Sequence, residues 1–291
     1  MTGRAGAEQR LAWLLCAPTV LTMLVVTAYP IAYSLWLSLF RYDLRFPGER
    51  SFIGFENYLS VLSAPTWWEA LFNTLLITVC SVAVELVLGF LFALLMHRAL
   101  LGRRVIRISL LVPYGIITVV AAMSWRFAFD PTIGFVNALA GLEGAWLAGR
   151  WSAFFVIIQT EIWKTTPFMA LLLLAGLTQV PDDLLRAARV DGANALQRFF
   201  RVTLPLLRPV IMVALLFRTL DAFRIFDTVF VQTRGAQGTE TVSLLGYNTL
   251  ITRLNLGLGS AVSVLIFLCV LAIAAIYIKG FGLDLSSRGR G

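Results

Sequence analysis

Several ionisable residues of this 291-residue chain sit inside apolar runs, and their spacing is helical. Glu161 and Lys164 are three apart in the run from Phe154 to Leu177. Arg218, Asp221, Arg224 and Asp227 follow one another at intervals of three between Val210 and Val231. Residues three or four apart share a helix face. The spacing therefore predicts two polar stripes, the second alternating in sign along a single helix. A charge at bilayer depth costs at least ~2.5–3.5 kcal/mol on insertion scales, so such a residue faces a cavity or a partner. A hydroxyl-rich solute fits a surface of this kind. Thr165 adds a hydroxyl, and Trp163, Phe168 and Phe223 offer aromatic faces for stacking. Each charge can equally pair with a neighbour and fix helix packing. The two readings are compatible, because paired charges can line a polar path. Glu85, alone in its own run, reads as a structural hydrogen-bonding group.

Other chemistries find no residues to perform them. His97 is the one histidine, and Cys16, Cys80 and Cys269 are far apart, each in an apolar run. No metal spacing, disulfide framework or nucleophile motif is visible, and the cysteines read as small buried hydrophobes. The only lysines are Lys164 and Lys279. Neither lies in the Gly-x-x-x-x-Gly-Lys-Ser/Thr context of a phosphate-cradling loop. The chain is expected to bind no metal and no cofactor of its own.

The elements that must position these residues are spans. The composition is 59% hydrophobic and 14% charged, where a soluble domain carries about a quarter charged residues. Apolar runs of ~20 residues cross a bilayer. Six are expected, at about 11–39, 71–95, 106–129, 154–177, 210–231 and 258–278, in one domain over 1–291. The first is too long for a signal-peptide core. The net charge of +8 has a membrane explanation. Arg4, Arg10, Arg98, Arg103, Arg104, Arg107, Arg186, Arg189, Arg198, Arg201, Arg208, Lys279, Arg288 and Arg290 fall on one side of such a topology. Six arginines (Arg41, Arg45, Arg50, Arg150, Arg234 and Arg253) fall on the other. The bias predicts two cytoplasmic termini and removes any need for nucleic acid. The outer loops are 41–69, where Trp67 and Trp68 suit a membrane interface, and the Gly/Thr-rich 232–256.

Between the fourth and fifth runs lies an unusual stretch over 181–205. Pro181 suits a first helical position, and Asp182 and Asp183 suit the positive end of a helix dipole. Leu184, Leu185, Ala188 and Ala193 offer a small apolar face. Gly192 permits a break after Asp191, and Pro205 and Pro209 punctuate the return to the membrane. Two short cytoplasmic helices are expected. They are either an ordinary interfacial loop or a segment that docks on a soluble partner.

Ala187, Ala188, Asp191, Gly192, Ala193, Leu204 and Pro205 resemble the coupling-loop signature of binding-protein-dependent ABC permeases, with Arg186 where that family usually has glutamate. The resemblance extends further. The stretches 52–58 (Phe-Ile-Gly-Phe-Glu-Asn-Tyr), Asn73-Thr74, 163–168 (Trp-Lys-Thr-Thr-Pro-Phe), 221–227 (Asp-Ala-Phe-Arg-Ile-Phe-Asp) and 257–261 (Gly-Leu-Gly-Ser-Ala) are similar to the sugar-uptake branch. The resemblance implies an all-α, polytopic inner-membrane permease that moves a sugar, trehalose first, by alternating access, with the 181–205 segment as its coupling helix. It implies a second homologous permease, two ATPase subunits that carry the ATP and magnesium, and an extracytoplasmic sugar-binding protein, a lipoprotein or otherwise. It places the sugar contacts in the fourth and fifth spans. Another oligosaccharide or glycerol phosphate remains open. A secondary, ion-coupled transporter using the intramembrane carboxylates is the rival from a different class; it would need no docking loop.

Overall fold

The computed structural model describes residues 2–98, 103–140 and 144–280; Arg288 and Arg290 lie outside them. The described chain is almost entirely helical, as expected of backbone that must satisfy its own hydrogen bonds in lipid. The helices are α1 (Thr2–Ser38), α2 (Glu56–Ser63), α3 (Pro65–Arg98), α4 (Arg103–Gly115), α5 (Thr118–Ala128), α6 (Phe135–Ala140), α7 (Arg150–Leu177), α8 (Asp182–Val190), α9 (Ala195–Arg198), α10 (Leu204–Phe223), α11 (Asp227–Gln232), α12 (Val242–Tyr247) and α13 (Leu256–Gly280). Among the described residues, four helical stretches are long and apolar enough to cross a membrane: Trp13–Ser38, Pro65–His97, Ala195–Gln232 and Leu256–Gly280. The number rises to six if each of two bent pairs is one span. These pairs are Ile108–Gly115 with Thr118–Ala128, bent by 98°, and Arg150–Leu177 with Asp182–Val190, bent by 73°.

Several sequence expectations are corrected. The run 106–129 is not one straight helix; it breaks after Gly115, two residues beyond Pro113, which has no N–H to donate. Pro205 stands in the first turn of α10 and Pro209 inside it, so the helix of the fifth run starts earlier than residue 210. Pro181 is the cap before α8 rather than its first residue. The connecting segment 232–256 is not irregular throughout: it contains α12 and a π-turn over Asn248–Thr252. Trp67 is buried, so only Trp68 is exposed as an interfacial residue would be. Cys16 is exposed, and Cys80 and Cys269 are half-buried.

The chain forms two compact units. The first comprises Met1–Pro65 and Gly246–Phe267. In it, α1 leads into two short antiparallel strands, β1 (Phe40–Arg41) and β2 (Ser51–Phe52), that pair Phe40 with Phe52. Buried Asn57 ties this hairpin down, its amide donating to the carbonyls of Ser38 at 2.8 Å and Phe40 at 2.9 Å. Tyr58 and Ser38 share a hydrogen bond of 2.6 Å. At the start of α13 the N–H of Gly257 donates to Tyr42 O at 3.0 Å. A Cβ on residue 257 would stand 2.1 Å from Phe40 O. Backbone has no room to yield there, so Gly257→Ala is expected to destabilise this unit by about 1–3 kcal/mol, the range for overpacking. Thermal unfolding of the purified variant reads this; an unchanged midpoint would contradict the close approach.

The second unit comprises Thr66–Leu245 and Leu268–Gly291. Its core joins α3, α7 and α10 through Met96, Met169, Leu173, Leu207 and Ile211, with Ala93, Ala170 and Ala214 letting the helices approach. Asn73 and Thr74 also have a structural task. Asn73 donates to the carbonyls of Gly238 at 2.9 Å and Glu240 at 2.8 Å, and the Thr74 hydroxyl accepts from the N–H of Val242.

Candidate functional site

The predicted polar stripe is split. α10 ends at Phe223, Arg224 caps it, and α11 starts at Asp227. No glycine or proline marks the break. Arg218, Asp221, Arg224 and Asp227 therefore do not share one helix, and their fates differ.

Arg218 is buried, with 1% of its side chain exposed. Its Nε donates to Glu85 Oε2 at 2.6 Å and its Nη2 to Glu85 Oε1 at 3.0 Å, a forked pair between α10 and α3. Nη2 also donates to Glu161 Oε2 at 3.1 Å and Nη1 to Asp221 Oδ2 at 2.8 Å. The other oxygen of Glu161 accepts from the Thr228 hydroxyl. One guanidinium thus ties α3, α7 and α10, and Glu161 extends the tie to α11. Glu85 is not the isolated group its sequence context suggests. Its partner is 133 residues away, a separation that periodicity along one segment cannot bridge.

Beside this network lies a polar cleft of about 270 Å³. Glu161, Lys164 and Thr165 line it from α7, and Asp221, Arg224, Asp227 and Thr228 line it from the break between α10 and α11. Tyr114 and Thr118, from the broken pair α4 and α5, complete the wall. Both helix breaks therefore open onto the same cleft. Asp221 is the exposed end of the Arg218 network, with 75% of its side chain accessible. The Lys164 ammonium lies 5.7 Å from the centroid of the Tyr114 ring. Lys164, Arg224 and Asp227 form no ion pair among the described residues. The expected aromatic faces are elsewhere. Phe223 is buried, Trp163 meets Trp125 edge-on at 5.6 Å, and Phe168 stacks on Tyr114 at 5.5 Å. Tyr114 is the aromatic residue that sequence reasoning missed, and Pro113 and Gly115 on either side of it were the available signal.

The 181–205 segment has a complete local explanation. α8 carries Asp182 and Asp183 in its first turn and buries none of its residues. It ends in the six-residue C-terminal motif that glycine favours. Gly192 takes φ +83°, its N–H donates to Arg189 O at 3.1 Å, and the N–H of Ala193 donates to Ala188 O at 2.9 Å. Ala188 and Ala193 are thus the two ends of this clasp. Asn194 and Gln197 then form a reciprocal capping box with two bonds of 2.9 Å; their spacing of three is a sequence signature of a helix start. A π-turn over Phe199–Thr203 comes next, where Phe199 meets Phe90 of α3 edge-on at 5.8 Å. Leu204 and Pro205 open α10. Arg186 is exposed and 4.0 Å from Asp183, a surface pair worth little. Ala187 and Asp191 are exposed as well.

Outside the membrane runs, Asp130 follows α5. Its carboxylate accepts from the N–H of Thr132 at 2.8 Å and of Ile133 at 3.1 Å, and these two bonds hold its pKa below the usual carboxylate range. Arg45 does the same for Asp43. Among the described residues, no cluster of three His, Cys, Asp or Glu could hold a metal ion.

Residues 85–281 match the family model described as the binding-protein-dependent transport system inner membrane component. The trehalose transport system permease protein SugA of Mycobacterium tuberculosis is 53% identical over 281 residues, covering 97% of this chain and 92% of its own length. The trehalose/maltose transport system permease protein MalF of Thermococcus litoralis is 42% identical, covering 94% of each. The fold is similar to that in a crystal structure of a bacterial ABC transporter that imports alginate, with a TM-score of 0.83 at 21% identity, covering 97% of this chain and 99% of that one.

Proposed function

The chain belongs to the family of binding-protein-dependent transport system inner membrane components, and we propose that its polar cleft conducts a sugar, trehalose, across the cytoplasmic membrane. It is a multi-pass permease subunit of an ABC importer and not an enzyme. The observation that carries the substrate reading is the cleft itself: charged and hydroxyl groups gathered at two helix breaks in otherwise apolar runs. A sugar presents alternating donors and acceptors, and Glu161, Thr165, Asp221, Arg224 and Asp227 supply both. Its kinship with a trehalose permease and a trehalose/maltose permease favours that disaccharide.

In this reading the chain has six spans, the third broken after Gly115 and the fourth formed by α7 alone, with both termini in the cytoplasm, as the arginine bias favours. α8 is the coupling helix. Two partner subunits bind ATP and magnesium. A second permease completes the pathway, and an extracytoplasmic sugar-binding protein delivers the substrate. Closure of the ATPase pair moves α8. The clasp at Gly192 holds α8 at a fixed angle to α9, and the Phe199–Phe90 contact passes the movement to α3. The Arg218 network joins α3 to α7 and α10, so the helices that line the cleft move together and open it alternately to either side.

Asp221→Asn and Arg224→Gln test the cleft. Both side chains are exposed at its wall, so each variant is expected to assemble normally and lower uptake about tenfold, the loss of one charge-assisted hydrogen bond. Failure to assemble instead would make these charges structural.

A further inference from the structure

A second pocket, of about 240 Å³, lies behind the 181–205 segment. His97 at the end of α3, Arg189 of α8 and Arg198 of α9 line it, with Phe199 and Thr203 from the π-turn. Arg198 donates through Nη1 to Ala193 O at 2.6 Å, which fixes its guanidinium. Neither arginine forms an ion pair among the described residues. Among the described residues no carboxylate lines the pocket. Basic residues from three elements thus line one concavity with no described carboxylate to balance them. The π-turn supplies part of the wall through Phe199 and Thr203, and such turns recur at functional sites.

We propose that this pocket binds a phosphate-bearing anion, held by the Arg189 and Arg198 guanidiniums with His97 as a further donor. Planar guanidinium forks suit phosphate oxygens. Such a ligand would tie α8 and α9 to α3 and α7, and so set how freely the segment moves. The phosphate can belong to an anionic lipid headgroup or to a soluble cytoplasmic compound. The site is separate from the sugar cleft, and its occupancy can be measured without transport.

The test uses the intact membrane complex purified through this chain, in nanodiscs. One preparation contains phosphatidylcholine alone and receives inorganic phosphate; another contains phosphatidylglycerol and no free phosphate. Hydrogen exchange over residues 189–203 and native mass spectrometry report occupancy. Slowed exchange and one retained anion are expected in at least one preparation, and the responding one names the source. Arg189→Gln/Arg198→Gln is expected to weaken that binding at least a hundredfold, about tenfold per arginine. The milder Arg198→Lys keeps the charge and loses the fork, and should weaken it several-fold; it serves if the double variant does not assemble. No anion effect in either preparation would overturn the proposal. Binding that both sets of variants retain would overturn it too, as would protection that depends only on the ATPase being docked.

Discussion

Arg218→Met is expected to be the most damaging single change in the second unit. It leaves Glu85, fully buried, with no cation, and removing one partner of a buried pair costs ~3–5 kcal/mol. The variant should be recovered in low yield, with a much reduced unfolding temperature. Replacing the whole pair, Arg218→Met with Glu85→Leu, should restore most of the stability, since apolar replacement of buried ion pairs is often neutral or better. Transport should not return with it. Glu161 and Asp221 lose the guanidinium that orients them at the cleft, and α3 loses its tie to α10. Uptake and thermal unfolding, measured side by side, separate these effects. A double variant that transports normally would reduce the network to packing. A stable single variant would contradict the burial of Glu85.

Gly192→Pro is expected to break coupling while sparing the spans. Proline locks φ near −65°, whereas residue 192 needs +83°. It also removes the N–H that donates to Arg189 O. The clasp between Ala188 and Ala193 must open, and α8 loses its fixed angle to the rest of the segment. Because α8 buries nothing in this chain, insertion and yield should be little changed. Uptake should fall at least tenfold while ATP hydrolysis continues without responding to sugar. Gly192→Ala, strained by ~1–2 kcal/mol in the left-handed region, should fall between. Normal uptake by the proline variant would remove the coupling role from this segment.

Much of this was legible in the sequence, and the remainder was hidden for identifiable reasons. The long apolar runs and the short helix before Gly192 come from local pattern: hydropathy, acidic residues in the first turn and a glycine where the chain turns left-handed. The charges within the runs were visible as costly, and Glu161, Lys164, Asp221, Arg224 and Asp227 do meet at one cleft. Their arrangement was not legible. A three-residue repeat predicts one stripe only while the helix continues, and nothing local announces that it stops at Phe223. The forked pairing of Glu85 with Arg218 is long-range, as is the burial of Trp67. The displacement of Trp163 and Phe168 from the cleft wall depends on which aromatic ring each one meets across the helices. By contrast, the break before α5 and the start of α9 had local signals that went unread: Pro113 and Gly115 for the first, Asn194 with Gln197 for the second.

If this permease couples sugar passage to a partner ATPase through its 181–205 segment, sugar delivery must be felt at the ATPase. The deciding measurement is ATP hydrolysis by the membrane complex purified through this chain, with and without trehalose-loaded binding protein. Co-purification of an ATPase whose rate rises with the loaded protein, and no such rise in the Gly192→Pro complex, is the expected outcome. Stimulation by other sugars but not by trehalose would keep the importer and replace its substrate. Absence of any ATPase from a complex otherwise intact would overturn the coupling role and favour a secondary transporter.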